Sequence, residues 1–348
     1  MGKFKDVERQ QAIQRGMEFI YRIACDPQHL VDYGCDLLFF FNTIAATSSD
    51  TNLRKLARNM ASDRFRHWQH ERQTLPPDPD VDTITDFVLI NHAAQRIGIR
   101  DSALKQQLRE AAKNFTAADF LWFDPYTEAP PANVPQICEC GTRNKRGRKR
   151  CSNLNCRAEL VIMSRYLVWY YSLGLAYCGE SYGVPLGARY LDVFRWLPTV
   201  RSYRERRNGR NHDFSDMVYM ISHIVYTLND YGMYNLSPRW LPQEYEFLKA
   251  NLKEAIALED PDMMGEFLDS LMAFGLKLSH PLIREGISFL LSQQNPDGSW
   301  GDMEDEDLYG RYHPTWAAID GLREYAWRGE RLKFPQVLPL LKQWADKD

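Results

Sequence analysis

Four cysteines give the chain its strongest local chemical signal. They lie within 19 residues in the spacing C-x-C-x10-C-x4-C, at Cys138, Cys140, Cys151 and Cys156. Two pairs of thiolates that a loop brings together supply the four soft, tetrahedral ligands that structural zinc prefers. The alternative is a set of free or redox-active thiols. We predict that all four cysteines hold one structural zinc ion.

The loop 143–150 between the two cysteine pairs carries six basic residues in eight positions. Such a charge density can neutralise phosphates. However, no aromatic residue lies between the basic ones to stack on bases. The positive charge also offsets the negative charge of a zinc–thiolate centre. The sequence therefore favours a solvated loop, and we do not expect nucleic acid as a partner.

A second set of polar residues recurs at three- and four-residue steps over 214–231. In a helix these residues share one face: Asp216, Tyr219, His223, Tyr226 or Thr227, and Asp230. A helix inside a large fold buries both faces, so this polar face is predicted to line a cavity. The rings of Tyr219 and Tyr226 would shape that cavity and stabilise cationic character. A satisfied buried network or plain exposure to solvent is the alternative.

The histidines are the best candidates for chemistry in such a cavity. His223 and His313 can bind metal or move protons, because the usual imidazole pKa of about 6.5 lies near neutral pH. With an acid such as Asp230, Asp213 or Asp260 they could form a facial site for zinc or iron. We assign Asp230 and Asp260 the role of ligands or orienting groups.

The composition is that of a globular protein. The chain has 348 residues, of which 44% are apolar and 13% aromatic, and a net charge of −3. The aromatic content excludes a disordered chain, and the length suggests about two domains. The small net charge gives no overall attraction to nucleic acid or anionic membranes. No window is apolar enough to span a membrane and the start lacks the core of a signal peptide, so we expect a cytoplasmic protein.

The hydrophobic pattern predicts an all-α fold. Apolar residues recur with the period of helices, and the period of strands is nearly absent. About a dozen helices are expected, four of which open with a proline at the first helical position: Pro242, Pro281, Pro314 and Pro335. A Pro-rich linker with the zinc module (122–160) separates an N-terminal helical part (1–121) from a helical-repeat part (161–348). The two helical parts are expected to form one composite fold.

The C-terminal half contains a repeated helix pair. One copy runs over 262–294 and the next over 313–344, and a weaker copy runs over 214–258. In each copy the first helix is rich in small and aromatic residues, and the second opens with proline and is more amphipathic. Such pairs bury a continuous core when they stack. Stacked in a ring, they form a barrel of inner and outer helices.

Two segments of these repeats resemble a known superfamily. Residues 286–300 resemble the QW motif of terpene cyclases, in Gly286, Phe289, Leu290, Gln294, Gly298 and Trp300. Residues 312–316 and the helix after them resemble the helix opening that follows this motif in terpenoid cyclases and protein prenyltransferases. The resemblance implies an α/α toroid with a central cavity, in which Gln294 caps the next repeat and Trp300 stacks across the join. Such a motif identifies a fold rather than a reaction.

The resemblance also implies a metal site. Protein prenyltransferases hold a catalytic zinc through an Asp-x-Cys pair and a His in a Tyr-His-Thr context. His313 matches that His through Tyr312, with Pro314 inserted before the Thr. Asp260 and Asp262 stand at the equivalent helix opening one repeat earlier, but Asp262 replaces the Cys of the family. The resemblance thus assigns Asp260 and Asp262 to a cofactor, in an oxygen-rich site that does not suit zinc–thiolate activation.

Two functions are compatible with these observations. The first is an enzyme that acts on an apolar or aromatic small molecule in a central toroid cavity, by cyclisation, rearrangement or a metal-assisted lyase or oxidative step. It would use a second, catalytic metal, zinc or iron. The acidic motifs of class II and class I cyclases are absent, and residues 302–305 only imitate the former. The second is a non-catalytic scaffold that docks partners through the zinc module and basic loop. Substrate, reaction and oligomeric state are left open.

Overall fold

The computed structural model describes most of the chain. It covers residues 2–71, 74–131, 138, 140, 142, 144, 145, 148–160, 163–201, 203 and 212–345, with the backbone alone for 2–5, 71, 212 and 213. The candidate side chain of Asp213 and positions 143, 146 and 147 of the basic loop lie outside these residues.

The described residues form sixteen α-helices and no β-strand, which confirms the all-α prediction. The first ten helices are α1 (Gly2–Cys25), α2 (Pro27–Asp32), α3 (Gly34–Thr47), α4 (Thr51–Glu71), α5 (Val81–Arg96), α6 (Ser102–Ala112), α7 (Ala117–Leu121), α8 (Arg165–Tyr182), α9 (Tyr190–Phe194) and α10 (Leu197–Val200). The others are α11 (His212–Leu228), α12 (Pro242–Ala257), α13 (Pro261–Ala273), α14 (Pro281–Gln293), α15 (Tyr309–Leu322) and α16 (Leu338–Ala345), the last preceded by a 3-10 turn over Pro335–Val337.

The chain divides into two compact units. The first comprises residues 1–75, 89–101 and 225–348, and the second comprises residues 76–88 and 102–224. Two of the four boundaries fall inside helices, at 88/89 in α5 and at 224/225 in α11. The predicted parts 1–121, 122–160 and 161–348 follow one another along the chain, whereas the first unit combines residues from both ends of it. The four cysteines belong to the second unit.

Local sequence explains where several helices begin. Pro242 and Pro281 open α12 and α14 at the first position, where a missing N–H costs no helical hydrogen bond. Pro261 does the same for α13, and the carboxylate of Asp260 caps this helix by accepting a hydrogen bond from the backbone N–H of Met263 at 2.9 Å. The openings at Pro242 and Pro281 agree with the sequence pattern, whereas Pro335 opens the 3-10 turn and α16 begins only at Leu338.

The opening of α15 differs from the prediction. The pattern places Pro314 at the first helical position, but α15 begins at Tyr309 and Pro314 lies inside it. The carboxylate of Asp307 accepts a hydrogen bond from the backbone N–H of Tyr309 at 2.9 Å, which favours the earlier start. Pro314 has no N–H to donate to the carbonyl of Gly310, so the helix tolerates one missing hydrogen bond in its first turns.

The tightest helix contact in the first unit joins α13 to α15. A Cβ atom added to Gly265 would lie 2.3 Å from the backbone carbonyl of Ala317. A Cβ added to Gly286 of α14 would lie 2.7 Å from Met264 and 2.6 Å from Leu268, both on α13. Helix α13 therefore packs at very short distance against both of its neighbours, because glycine stands at each point of contact.

The segment between α14 and α15 packs on the N-terminal helix. Gln294 donates hydrogen bonds to the carbonyl oxygens of Ala12, on α1, at 2.9 Å and of Gly298 at 3.0 Å. It thus contacts α1 rather than the backbone of a following repeat, contrary to the expectation from the sequence. Trp300 is fully buried, and its indole N–H donates to the carbonyl of Leu290 at 2.7 Å. Both side chains fix the loop that leads into α15.

The second unit is built around α8. Trp169 is fully buried and donates its indole N–H to the carbonyl of Val193, on α9, at 3.0 Å. The hydroxyl of Ser172 donates to the carbonyl of Leu121, at the end of α7, at 2.8 Å. Trp169 and Ser172 of α8 thus bond to the ends of neighbouring helices, as buried polar groups require.

The contact at Gly265 can be tested by adding one methyl group. Gly265→Ala is expected to destabilise the protein by about 2–3 kcal/mol, because the methyl group overlaps the backbone of α15 and the helices must separate. Gly174→Ala is the matched control: it also lies inside a helix, and an added Cβ meets no described atom within 4 Å. The control should be neutral or stabilising by up to about 1 kcal/mol. Urea unfolding measures both, and equal stabilities would contradict the close contact.

Candidate functional site

The four cysteines form the first of two groups of metal-ligating side chains in the described part of the chain. The Sγ atoms of Cys138 and Cys156 are 3.6 Å apart, and those of Cys140 and Cys151 are also 3.6 Å apart. A tetrahedron with metal–sulfur bonds of about 2.3 Å has edges of about 3.8 Å. A disulfide would bring two sulfurs to about 2.05 Å. The arrangement can therefore hold a metal ion, and it contains no disulfide.

Polar groups next to these sulfurs suit the charged thiolate form. The hydroxyl of Thr142 lies 3.2 Å from the Sγ of Cys140. The side-chain amides of Asn153 and Asn144 donate toward the sulfurs of Cys140 and Cys151 at 3.8 Å each. Donors around a thiolate stabilise its negative charge and orient it for a metal. The surroundings of the cysteines thus match those of a metal centre.

The second group consists of Asp262, Glu266 and His313, whose ligand atoms lie within 4.8 Å of one another. Asp262 and Glu266 are four residues apart on α13 and share one face of it. His313 lies on α15, and its Nδ1 is 3.0 and 3.1 Å from the two carboxylate oxygens of Asp262. The contact of the two helices at Gly265 brings these residues together.

Negative charge dominates the surroundings of His313. Burial disfavours the charged imidazole, but the carboxylates of Asp262, Glu266 and Asp36 outweigh burial and raise the pKa of His313 to about 9. Burial, and then the charge of Asp262, raises the pKa of Asp260 to about 6. At neutral pH the imidazole is therefore protonated, and the region attracts a cation.

Aromatic rings extend from this group toward α3. The ring of His313 stacks on Tyr309 with 4.8 Å between centroids and lies 5.9 Å from Trp316. Trp316 in turn contacts Phe39 at 6.1 Å and Phe40 at 5.8 Å, both on α3. Such rings present apolar area and a partly negative face. The second group therefore adjoins a cluster of aromatic rings, of which Phe39 and Phe40 belong to the buried core.

Two more buried carboxyl groups lie on the same helices. Asp320, on α15, accepts hydrogen bonds from the indole N–H of Trp316 at 2.7 Å and from the Nε of Arg323 at 2.5 Å. Asp269, on α13, has one buried carboxyl oxygen without a hydrogen-bond partner among the described residues. Burial, and then the charge of Asp320, raises the pKa of Asp269 to about 8. Asp269 therefore holds a proton at neutral pH.

Of the polar face predicted on α11, Tyr226 lies near the second group. Burial, and then the carboxylates of Glu266 and Asp269, raises the pKa of Tyr226 well above its usual range. Its ring lies 5.8 Å from that of Tyr231, which contacts Phe39 at 4.7 Å. Tyr226 thus continues the aromatic cluster and keeps its phenolic proton.

Asp230, the predicted ligand or orienting group, occupies a different setting. Its carboxylate pairs with Arg96 at 3.0 Å and with Lys333 at 3.2 Å. The residue follows the end of α11 with a φ of 58°, in the left-handed region. These contacts tie the end of α11 to two other segments of the first unit, and the structure does not group Asp230 with Asp262, Glu266 and His313.

Tyr219 and His223 belong to the second unit. The Nδ1 of His223 is 2.7 Å from the backbone carbonyl of Tyr219, and its ring lies 4.6 Å from that of Tyr170. A backbone carbonyl at this distance fixes the proton on Nδ1. His223 and His313 therefore lie in different units, and a site shared by the two stays a prediction.

The sequence reasoning missed Glu266, Asp269, Asp320 and the buried Arg323. The signal was present, because Asp262, Glu266 and Asp269 follow one another at steps of four and three residues on one helix face. The same periodicity underlies the polar face predicted over 214–231, but the acidic face over 262–274 was not recognised. The periodicity of one helix also does not show which second helix supplies the histidine.

No protein-family model, curated protein or solved structure matches the chain. None of the described helices combines the length and apolar character needed to cross a membrane. The two groups of ligating residues are therefore the features that bear on function.

Removing one sulfur tests the first group. Cys151→Ser is expected to release one metal ion per chain and to lower the thermal stability, because three thiolates leave a closed tetrahedral site incomplete. Elemental analysis and thermal unfolding measure the two effects. Cys25→Ser is the control, since Cys25 is exposed and lies outside the group. Unchanged metal content in Cys151→Ser would contradict the assignment.

The pKa of Asp269 predicts a pH dependence of stability. A carboxyl with a folded pKa of about 8 and an unfolded pKa of about 3.9 binds its proton more tightly in the folded state. Its contribution to stability is full below about pH 4 and is lost as the pH rises through 8. Asn cannot ionise, so the stability of Asp269→Asn relative to the unmodified protein should rise between pH 4 and 8. Thermal unfolding across this pH range measures the difference in stability, with Asp302→Asn, at an exposed position, as the control. If the stabilities of Asp269→Asn and the unmodified protein changed in parallel with pH, Asp269 would not hold a buried proton.

Proposed function

We propose that the protein is a metal-dependent enzyme that acts on an apolar or aromatic small molecule. The observation that carries this proposal is the convergence of Asp262, Glu266 and His313, from two closely packed helices, to within 4.8 Å. We propose that these three side chains hold a divalent metal ion, zinc or iron. The four cysteines would hold a separate structural zinc ion.

The donor set fits such an ion. Two carboxylates and one imidazole make a mixed oxygen and nitrogen set, which suits first-row divalent metals. Three protein ligands leave coordination positions for water or substrate, as in catalytic rather than structural sites. A metal bound there would supply Lewis-acid polarisation of a substrate oxygen or activation of a water molecule.

The residues around the ligands would prepare the site. His313 must lose its proton to bind a metal, so the metal affinity should increase with pH up to about 9. Asp260 caps α13 and thereby fixes the helix end from which Asp262 projects. Tyr226 would offer a hydroxyl proton as a hydrogen-bond donor, and Trp316 would exclude water and hold apolar groups of a substrate.

The helix arrangement supports a terpenoid-cyclase-like enzyme as the more specific form of the proposal. In the first unit α13 packs against both α14 and α15. In a toroid, α13 and α15 would be inner helices, and α14, which lies between them in the chain, would be an outer helix. We propose that these pairs belong to an α/α toroid and that the reaction is a cyclisation, a rearrangement or a metal-assisted lyase or oxidative step. The seven cysteines are all thiols, which suits a reducing, cytoplasmic setting.

A non-catalytic scaffold is the second candidate. It is supported by the four-cysteine module, where Leu154 is 75% exposed between two metal-ligating cysteines. A partner that packed against this module would bury that apolar side chain. The two candidates differ in the number of metal ions, because a scaffold needs only the cysteine centre.

Counting metal ions in variants tests the proposal. The purified protein is expected to hold two metal ions per chain by elemental analysis. Glu266→Gln and His313→Ala should each lose one ion and keep the folded state and the thiolate-bound ion, because each removes one ligand and little apolar packing. His223→Ala separates this ligand set from the site predicted to be shared with His223, and it should keep both ions if Asp262, Glu266 and His313 are the ligands. One ion per chain, retained in Glu266→Gln and lost in Cys151→Ser, would overturn the enzyme proposal in favour of the scaffold.

A further inference from the structure

The segment 138–159 around the four cysteines differs in charge from the rest of the chain. It contains seven basic and two acidic residues and thus has a net charge of +5. Because the whole chain has a net charge of −3, all other residues together carry −8. A strong charge asymmetry of this kind points to a charged partner.

The metal centre accounts for only part of this positive charge. Four thiolates with one divalent ion have a net charge of −2. After this compensation the segment keeps a net charge of about +3. The sequence favours a basic loop that offsets the charge of the thiolates. This role therefore leaves most of the positive charge unexplained.

The described basic side chains of the segment are available to a partner. All five are exposed, and none forms an ion pair with a described residue: Lys145, Arg148, Lys149, Arg150 and Arg157. We call these five side chains the basic surface. Charged side chains that a protein leaves unpaired and clustered create a local positive potential.

The backbone holds part of this surface in place. The N–H of Cys151 donates to the carbonyl of Ala158 at 2.8 Å, and the N–H of Leu160 donates to the carbonyl of Lys149 at 2.9 Å. Residues 149–151 and 158–160 thus run antiparallel to each other. The first of these segments includes Cys151, and the second follows Cys156 closely in the sequence. The basic surface is presented by a paired backbone next to the cysteine group, so binding would cost less conformational entropy than for a free loop.

We propose that the basic surface binds the phosphodiester backbone of duplex nucleic acid. Each cation that contacts a phosphate releases condensed counterions, which favours a polyanion with closely spaced charges. Residues 138–160 include no aromatic side chain. The surface therefore lacks a platform for stacking on unpaired bases, and backbone contact with a duplex needs none.

Other anionic partners fit the surface less well. Stable attachment to an anionic membrane requires apolar area as well as charge, and Leu154 is the one large apolar side chain exposed in the described part of this segment. An acidic protein would rely on exposed ion pairs, each of which contributes at most about 1 kcal/mol. The duplex is favoured because its charge density is fixed and regular.

Salt-dependent binding tests the proposal on the full-length protein with its bound metal. Fluorescence anisotropy with a labelled DNA or RNA duplex of about two helical turns should show binding at about 50 mM salt. If about four of the five cations reach phosphates, the slope of log K against log salt is roughly −3 to −4, and affinity falls about 100-fold by 200 mM. The DNA and RNA arms show which duplex is preferred.

Charge-removal variants separate this surface from general electrostatics. Lys149→Gln combined with Arg150→Gln should reduce the salt slope by about 2, with metal content and melting temperature unchanged. Lys55→Gln combined with Arg100→Gln removes the same charge from exposed positions outside the segment and should not change the slope. The proposal is overturned by absence of duplex binding at 50 mM salt, or by equal slopes in the two variants. It is also overturned if polyglutamate or phosphatidylserine vesicles bind more tightly than the duplex.

Discussion

The close approach of α13 and α15 is the constraint on which the candidate site depends. Without a side chain at Gly265, the backbone of α13 comes within contact distance of Ala317. At such a separation the short side chain of Asp262 reaches the imidazole of His313 at 3.0 Å. Metal ligands tolerate only small errors in distance. A larger residue at the crossing would therefore push the two helices apart and separate the ligand atoms with them.

The same helices bury more acid than base, and this has an energetic consequence. Asp320 is neutralised by Arg323, which it binds at 2.5 Å, and Asp262 by the protonated His313. Asp269 avoids an uncompensated charge by keeping its proton, as its pKa of about 8 implies. Buried acids destabilise a fold unless they are paired or neutralised. Buried acids with perturbed pKa values are concentrated at functional sites. A bound cation would neutralise the acids of this cluster.

The sequence predicted the fold class better than the site, for a physical reason. Helical periodicity is a local property, so the all-α class and two proline-initiated helices, at Pro242 and Pro281, followed from residue spacing. Pro314 was misplaced because the hydrogen bond from the N–H of Tyr309 to the carboxylate of Asp307 favours an earlier start of α15, which competes with the preference of proline for the first helical position. Asp262 and His313 were selected through a resemblance that aligned two helix openings. Glu266 was missed, since only the packed helices show that its face meets His313.

The two groups of ligating residues also differ in the metals that they can select. Four thiolates form a soft, closed set that retains zinc, whereas two carboxylates and an imidazole form a harder set with open positions. A thiolate centre leaves no coordination position for a substrate, so it can stabilise or present a surface but cannot readily catalyse. The harder set binds a metal ion more weakly, but it alone has a coordination position at which a substrate can replace a water molecule. Any chemistry that the protein performs with a metal should therefore occur between α13 and α15, and the cysteine module should serve stability and binding.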